Sequence, residues 1–247
     1  MTVVPFNELK NADLVVDRIY EGGVHKDVRD DPITKLLPGI GNQGGFRVAG
    51  NPKPKYVVLY TSGEEKDWPD ELDQSTGRFT FYGDNRTPGK ELHDTIKGGN
   101  ELLRKSFEFL HDGSINNKEI PPFLVFKKNP TPQSSRAVQF LGLAVPGYPG
   151  LSSTEDLVAI WKHSAGKRFQ NYRAIFTVLD VHKIPRAWLN NLNDCFLTIM
   201  DAPEPWRVWV EDSRYTPLIS SPKLEYRTPE QQLPRGPRQQ QMLQTIY

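Results

Sequence analysis

The sequence predicts an α+β fold built on a mostly antiparallel β-sheet. Three observations carry that expectation. Short runs of β-branched and aromatic residues recur along the chain, KYVVLYT and RFTFY being the clearest. Turn residues separate them, with 21 prolines and 19 glycines among 247 residues. Helical spacing is confined to a few brief stretches. At 37% hydrophobic content the chain can bury a full core, as one large domain or two small ones.

Taken in order, Leu9, Val15, Val16 and Ile19 within residues 6–20 fit short helical or extended pieces. A short helix follows around residues 33–37, stopped by Pro38-Gly39. Residues 39–47 (GIGNQGGFR) are glycine-rich but lack a GK[ST] ending and a following helical pattern, which argues against a phosphate loop. Such a backbone suits close approach to DNA or to a neighbouring strand. Residues 55–61 and 78–82 are strands, and in the second Phe79 and Phe81 share one face while Thr80 and Tyr82 share the other. Residues 100–110 form the clearest helix, with Asn100 as N-cap, Leu103, Phe107 and Leu110 on one stripe, and Gly113 as the stop.

Strands are expected at 123–127, 137–145 and 172–180. A helix is expected at 154–163, capped by Ser152 or Ser153 with Glu155 or Asp156 closing a capping box. A helix at 185–191 starts on proline, and a last strand is expected at 206–211. After Tyr226 the Gln- and Pro-rich tail reads as a linker entering another helix.

No apolar run reaches the roughly 18 residues that a membrane span needs. The N-terminus lacks the charged and apolar regions of a signal peptide. Cys195 is the one cysteine, expected as a buried thiol, and a reducing cytoplasm is the natural compartment. Net charge is +1, which gives no global nucleic-acid signature. The charge is uneven, however. Acids crowd residues 64–73, whereas Lys127, Lys128, Arg136, Lys162, Lys167, Arg168 and Arg173 make the later chain basic.

Catalytic spacing is hard to find. The histidines are scattered, with no HExxH and no Gly-x-Ser-x-Gly. A nuclease set of Asp84 or Glu91 with Lys97 would sit around one turn rather than along adjacent strands. No metal site is expected in this chain.

The densest stretch is 67–99, which joins acidic turns, an aromatic strand and a Gly-Asp-Asn-Arg loop. It reads as a pocket for a planar polar ligand such as an extruded nucleobase. Trp68, Phe81 and Tyr82 offer stacking faces, and Asp70 or Asp73 offers an acceptor for the exocyclic amino group of cytosine. The competing reading makes Trp68 and Phe81 core residues and the acids a solvated turn.

The run LDQSTGRFTFYGDNR…GKELHDT…GGNELLR resembles the SRA domains, which flip and bind 5-methylcytosine. More closely, GNQGGFR, VLYTSGEEKDWPDELD, YGDNRTPGKELHDT, RFQNYRAIFTVLD and IPRAWL resemble the N-terminal domain of the AspBHI and MspJI group of modification-dependent restriction endonucleases. That resemblance covers most of the chain. It implies an SRA-like (PUA-like) curved sheet or barrel with flanking helices, holding a modified cytosine flipped from double-stranded DNA. It places cleavage, and its Mg²⁺, in a separate C-terminal nuclease domain. Residues 1–228 are then the recognition domain, and 229–247 the linker and helix start leading to the nuclease.

By the same resemblance Phe81 or Tyr82 covers the base, Asp70 or Asp73 reads its edge, Trp68 supplies the second face, and Asp84 belongs to the pocket. Asn42, Gln43 and Arg47 sit on a loop that enters the duplex or forms a structural turn. Asn85, Arg86, Lys90, Lys167, Arg168 and Arg173 are the remaining candidate DNA contacts. The segment Tyr-Gly-Asp-Asn-Arg departs from the SRA pattern Thr-Gly-Ser-Gly-Gly, which leaves the modification open among 5-methyl, 5-hydroxymethyl and larger groups. The expected setting is a prokaryotic cytoplasm, with room for a homo-oligomer in the full-length enzyme. A complete nuclease, or a reader of a non-nucleic ligand, are the competing functions.

Overall fold

A computed structural model describes residues 2–25, 27–112, 117–193 and 201–220. The expected stop at Gly113, the thiol of Cys195 and the tail beyond Tyr226 lie outside the described residues.

The N-terminal region supplies three two-residue strands, β1 (Val3–Val4), β2 (Leu14–Val15) and β3 (Ile19–Tyr20), with a 3-10 turn over Phe6–Asn11 between the first two. Helix α1 (Pro32–Leu36) opens on Asp31, whose carboxylate accepts from the Thr34 amide at 2.9 Å. Next come β4 (Phe46–Ala49), β5 (Tyr56–Thr61), β6 (Glu71–Asp73) and β7 (Arg78–Tyr82), then α2 (Gly99–His111). Strands β8 (Phe123–Lys128) and β9 (Val138–Pro146) precede a single helical turn, α3 (Ser153–Asp156). The long strands β10 (Leu157–Ser164) and β11 (Lys167–Val178) follow, then β12 (Lys183–Ile184), α4 (Arg186–Asn193) and α5 (Glu204–Asp212).

The main sheet runs β4-β5-β8-β9-β11-β7-β6, with β3 added to β9 and β10 added to β11. Most pairs are antiparallel; β5–β8 and β1–β3 are parallel. The expected mostly antiparallel sheet with flanking helices is observed, but the sheet is open and branched rather than a closed barrel. The branching needs strands to leave the plane. At the β8–β9 pairing the register shifts between Val125 and Phe126, opposite Gly142 at φ +143°. A Cβ there would lie 2.5 Å from the Val178 side chain, so only glycine lets β9 cross so close to β11.

Apolar side chains from the strands meet in one core. Phe176 on β11 packs against Phe123 on β8 (5.0 Å between ring centroids) and against Phe107 on α2 (5.7 Å, edge to face). Leu103 and Phe107 are buried on the α2 stripe, each contributing about 1.5–3 kcal/mol through burial. That stripe fixes α2 against β9 and β11, and so fixes the helix N-terminus beside the end of β7.

Two expected elements are corrected. The helix at 154–163 is only the turn α3, with the Ser152 amide donating to the Glu155 carboxylate at 2.9 Å as its capping box requires. The chain then turns extended at Leu157, because Val158, Ile160 and Trp161 favour a strand. Ala165 (φ 49°) and Gly166 (φ 74°) close a two-residue hairpin of the kind that matches strand twist. The strand at 206–211 is instead part of helix α5. Trp206, Trp209 and Val210 also satisfy a helical stripe, and Pro205 sits in its first turn. Trp206 is buried edge-on against Trp188 of α4 at 5.8 Å. Among the described residues no helix is long and apolar enough to cross a membrane.

Candidate functional site

A cleft of about 320 Å³ opens where the end of β7 faces the start of β4. Phe46 and Phe81, both buried, make its apolar floor, their ring centroids 6.3 Å apart. Gly44, Gly45 and Gly83 bring backbone to its walls; Asp84 and Thr95 add polar groups; Arg86, Lys90 and Lys97 line it with positive charge.

The cleft wall is held by buried amides. Asn171 on β11 accepts from the Asn85 amide (3.3 Å) and from the Asn100 side chain (3.0 Å), and donates to the Gly83 carbonyl (3.0 Å). Asn100 in turn accepts from the Asp84 amide (3.0 Å) and donates to the Leu92 carbonyl (2.8 Å). Asn85 donates to the carbonyls of Lys90, Glu91 and Gln170. The three asparagines are almost wholly buried. Such a network is stable only when every member is satisfied, and it fixes one loop geometry. Gly83 has no room for a side chain, since a Cβ would fall 1.8 Å from the Asn100 amide oxygen.

Asn100 is therefore not the cap of α2. The helix starts after Gly98 in the left-handed region (φ 64°), and its free amides are met by Asp84 from across the loop. The Asp84 carboxylate accepts from the amides of Gly99 (2.9 Å) and Asn100 (2.8 Å) and from the Thr95 hydroxyl (2.8 Å). A negative charge at a helix N-terminus is favourable, and the α2 dipole holds this one at the cleft.

The family model for the N-terminal region of the restriction endonuclease AspBHI matches residues 14–221. The chain belongs to this family. The DNA recognition domain of the cytosine modification-dependent restriction endonuclease LpnPI is 46% identical, with a TM-score of 0.84 over 90% of this chain and 97% of that one. The DNA modification-dependent restriction endonuclease AspBHI is 42% identical, with a TM-score of 0.83 over 89% and 100% of the two chains. The MspJI restriction endonuclease, solved with a 27-mer oligonucleotide, shares the fold at 20% identity and a TM-score of 0.60, over 96% of this chain and 61% of that one. Comparison with curated protein sequences finds no match.

Within this AspBHI-type domain, the residues singled out from sequence fall into separate places. Phe81, Asp84, Asn85, Arg86 and Lys90 meet at the cleft. Asp70 lies beside it with its side chain buried. One oxygen accepts from the Tyr82 amide at 2.8 Å, and the other faces Arg86 at 3.5 Å. Burial pushes its pKa above the usual carboxylate value, against the pull of Arg86. Asp73 is exposed on the β6–β7 turn, accepting from the Ser75 amide (2.9 Å) and the Ser75 and Thr76 hydroxyls, which hold its pKa below the usual value. It is far along β7 from the cleft, opposite Arg78.

Trp68 and Tyr82 pack together on the other face of β7, 5.7 Å apart, and Trp68 also meets Phe169 edge-on at 6.0 Å. Trp68 is as buried as Phe46 and Phe81 but packs on Tyr82 and does not line the cleft. Arg47 is buried, bonded to Asp31 (2.9 Å) and to the carbonyls of Gly44 and Gly41; it fastens the glycine-rich turn. Asn42 and Gln43 stand on that turn, Gln43 exposed, beside a second hollow shared with Lys128 and Arg136. Lys167 and Arg168 are exposed at the β10–β11 tip. Arg173 lies opposite Tyr82, half-buried, its Nε without a hydrogen-bond partner among the described residues. Sequence reasoning missed Phe46 and Asn171 and misassigned Asn100. A lone asparagine inside the β11 run was the one local signal for Asn171.

Proposed function

We propose that residues 1–228 are the recognition domain of a modification-dependent restriction endonuclease, holding a 5-substituted cytosine flipped from duplex DNA. The observation that carries this reading is the cleft between the glycine turn and the Gly83–Lys97 loop, in a chain 46% identical to a domain named for DNA recognition in a cytosine modification-dependent enzyme. At about 320 Å³ the cleft is at the lower end of ligand-pocket sizes, suited to a single base. Phe46 and Phe81 offer apolar contact to the ring and its 5-substituent. Asp84 carries the edge reading here in place of Asp70 or Asp73. A carboxylate has about four acceptor sites, and three donors already fix this one. The last can take the cytosine amino group. Asp70, engaged by Tyr82 and Arg86, positions the loop. Arg86, Lys90 and Lys97 neutralise phosphates beside the extruded nucleotide. Cleavage belongs to a nuclease domain outside these residues.

The test is a titration of the protein with matched duplexes carrying unmodified, 5-methyl, 5-hydroxymethyl or glucosylated cytosine. The proposal expects at least one modified duplex to bind about tenfold or more tightly than the unmodified one, a difference of ~1.4 kcal/mol. Equal binding across the panel overturns it.

A further inference from the structure

The β10–β11 hairpin extends past the rest of the sheet. Strand β7 pairs with β11 only from Arg173 to Thr177, whereas β10 continues alongside β11 out to Ser164 and Lys167. Its root is tied to the cleft wall: Asn85 donates from its side chain to the Gln170 carbonyl (2.9 Å) and from its amide to Asn171 (3.3 Å). From that root the tip stands about 16 Å away at roughly 3.3 Å per residue.

The two faces of this ribbon differ. Lys162 and Phe169 point to the body, with Lys162 Nζ 5.0 Å from the Trp68 ring and Phe169 edge-on to it. The other face carries Trp161, His163, Arg168 and Gln170, which the register sets in two cross-strand pairs, Trp161 with Gln170 and His163 with Arg168. Trp161 is 56% exposed, and the Arg168 guanidinium lies over its ring at 4.5 Å. Residues 157–179 contain Lys162, Lys167, Arg168 and Arg173 but no aspartate or glutamate, in a chain of net charge +1. An exposed tryptophan under an arginine, on a ribbon without acids, has no use in the core.

We propose that this ribbon is a second reading element, which enters a groove of the duplex beside the held base and selects a guanine in the flanking sequence through Arg168. The proposal rests on the reading of duplex DNA as the ligand. A major groove about 12 Å wide admits a two-stranded ribbon. Arginine is the residue that meets guanine O6 and N7 with two parallel hydrogen bonds, and Trp161 acts as a positioning residue that holds the guanidinium plane flat. Cations with no acid beside them favour an anionic partner over a basic or apolar surface.

Two duplex libraries test it, one with a central 5-methylcytosine and one unmodified, both with randomised flanks, each selected with wild type, Arg168→Lys and Trp161→Ala. Wild type should enrich guanine at one flanking position about tenfold. Arg168→Lys, which keeps the charge and loses the planar fork, should abolish that enrichment while the ratio of modified to unmodified binding stays within about twofold. Trp161→Ala should lower the enrichment without abolishing it. A wild type that enriches no flanking base, or an Arg168→Lys protein that enriches the same guanine equally, overturns the proposal. Loss of the modified-over-unmodified ratio in wild type overturns the cleft reading instead, and the flank enrichment is still read from the unmodified library.

Discussion

The loop that walls the cleft is tied through Asn85 and Asn171 to the root of the β10–β11 ribbon, yet that loop and the ribbon's tip are made in opposite ways. Around the cleft, Asp84, Asn85, Asn100 and Asn171 each make several hydrogen bonds to protein, and all three asparagines are buried. At the tip, Lys167 and Arg168 are exposed, and Trp161 is covered on one side by Arg168 alone. A site ordered before its ligand arrives avoids the entropy of ordering loops on binding. An arm with free cations gives long-range attraction and adapts to a helical polyanion. On the proposed function, this difference separates recognition of one base from engagement of the surrounding duplex.

The strongest way to break this contrast is to loosen the rigid side. Asn171→Ala leaves the Gly83 carbonyl, the Asn85 amide and the Asn100 amide group without their shared partner. Urea denaturation should show a loss of about 3 kcal/mol, and the preference for modified duplex should disappear with it. A loss below about 1 kcal/mol would mean the network does not hold the loop. Asp84→Ala should act next: removal of the cap and of the charge at the α2 N-terminus should cost about 1–2 kcal/mol. Binding to modified duplex should fall more than binding to unmodified.

Asp70, just before β6, and Asp73, at its end, give a subtler test, because they respond to pH in opposite senses. Asp70 has a folded pKa raised above 3.8 by burial. Its contribution is therefore fully present below that value and is lost as pH rises through the folded pKa. Asp73 has a folded pKa lowered below 3.8, so its contribution is present above that value and is lost on acidification. Urea midpoints from about pH 3 to 7 should show Asp70→Asn gaining on wild type as pH rises, and Asp73→Asn losing less than wild type on acidification. Parallel profiles would contradict the burial assigned to Asp70. The smallest effect belongs to the exposed side. Lys167→Gln should leave stability unchanged and lower the slope of log affinity against log salt by about 1.

Much of the fold was legible because several elements carry their own period. Strand β7 alternates without interruption and its bounds match, and α2 shows an unbroken stripe through Leu103 and Phe107. Strand β10 was read as a helix and α5 as a strand, since short runs rich in tryptophan and valine satisfy both periods; partners decide, β11 in one case and Trp188 in the other. The site was half legible. Phe81, Asp84, Arg86 and Lys90 lie in one dense stretch, and the cleft brings them together. Asp70 and Asp73 carry the same side chain three positions apart, and only the β6–β7 register separates a buried acid from a turn-builder. Asn171 could not be found from spacing, because its bonds run to residues far back in the chain.

The central claim is that the cleft at Phe46, Phe81 and Asp84 holds the modified base. A crystal structure of the protein with a duplex carrying the modified cytosine that it binds most tightly tests this most directly. The account predicts the base out of the duplex, its ring against Phe46 and Phe81 and its amino group within hydrogen-bond distance of the Asp84 carboxylate. A base left stacked in the helix, or one held on the Trp68 face of β7, would contradict it.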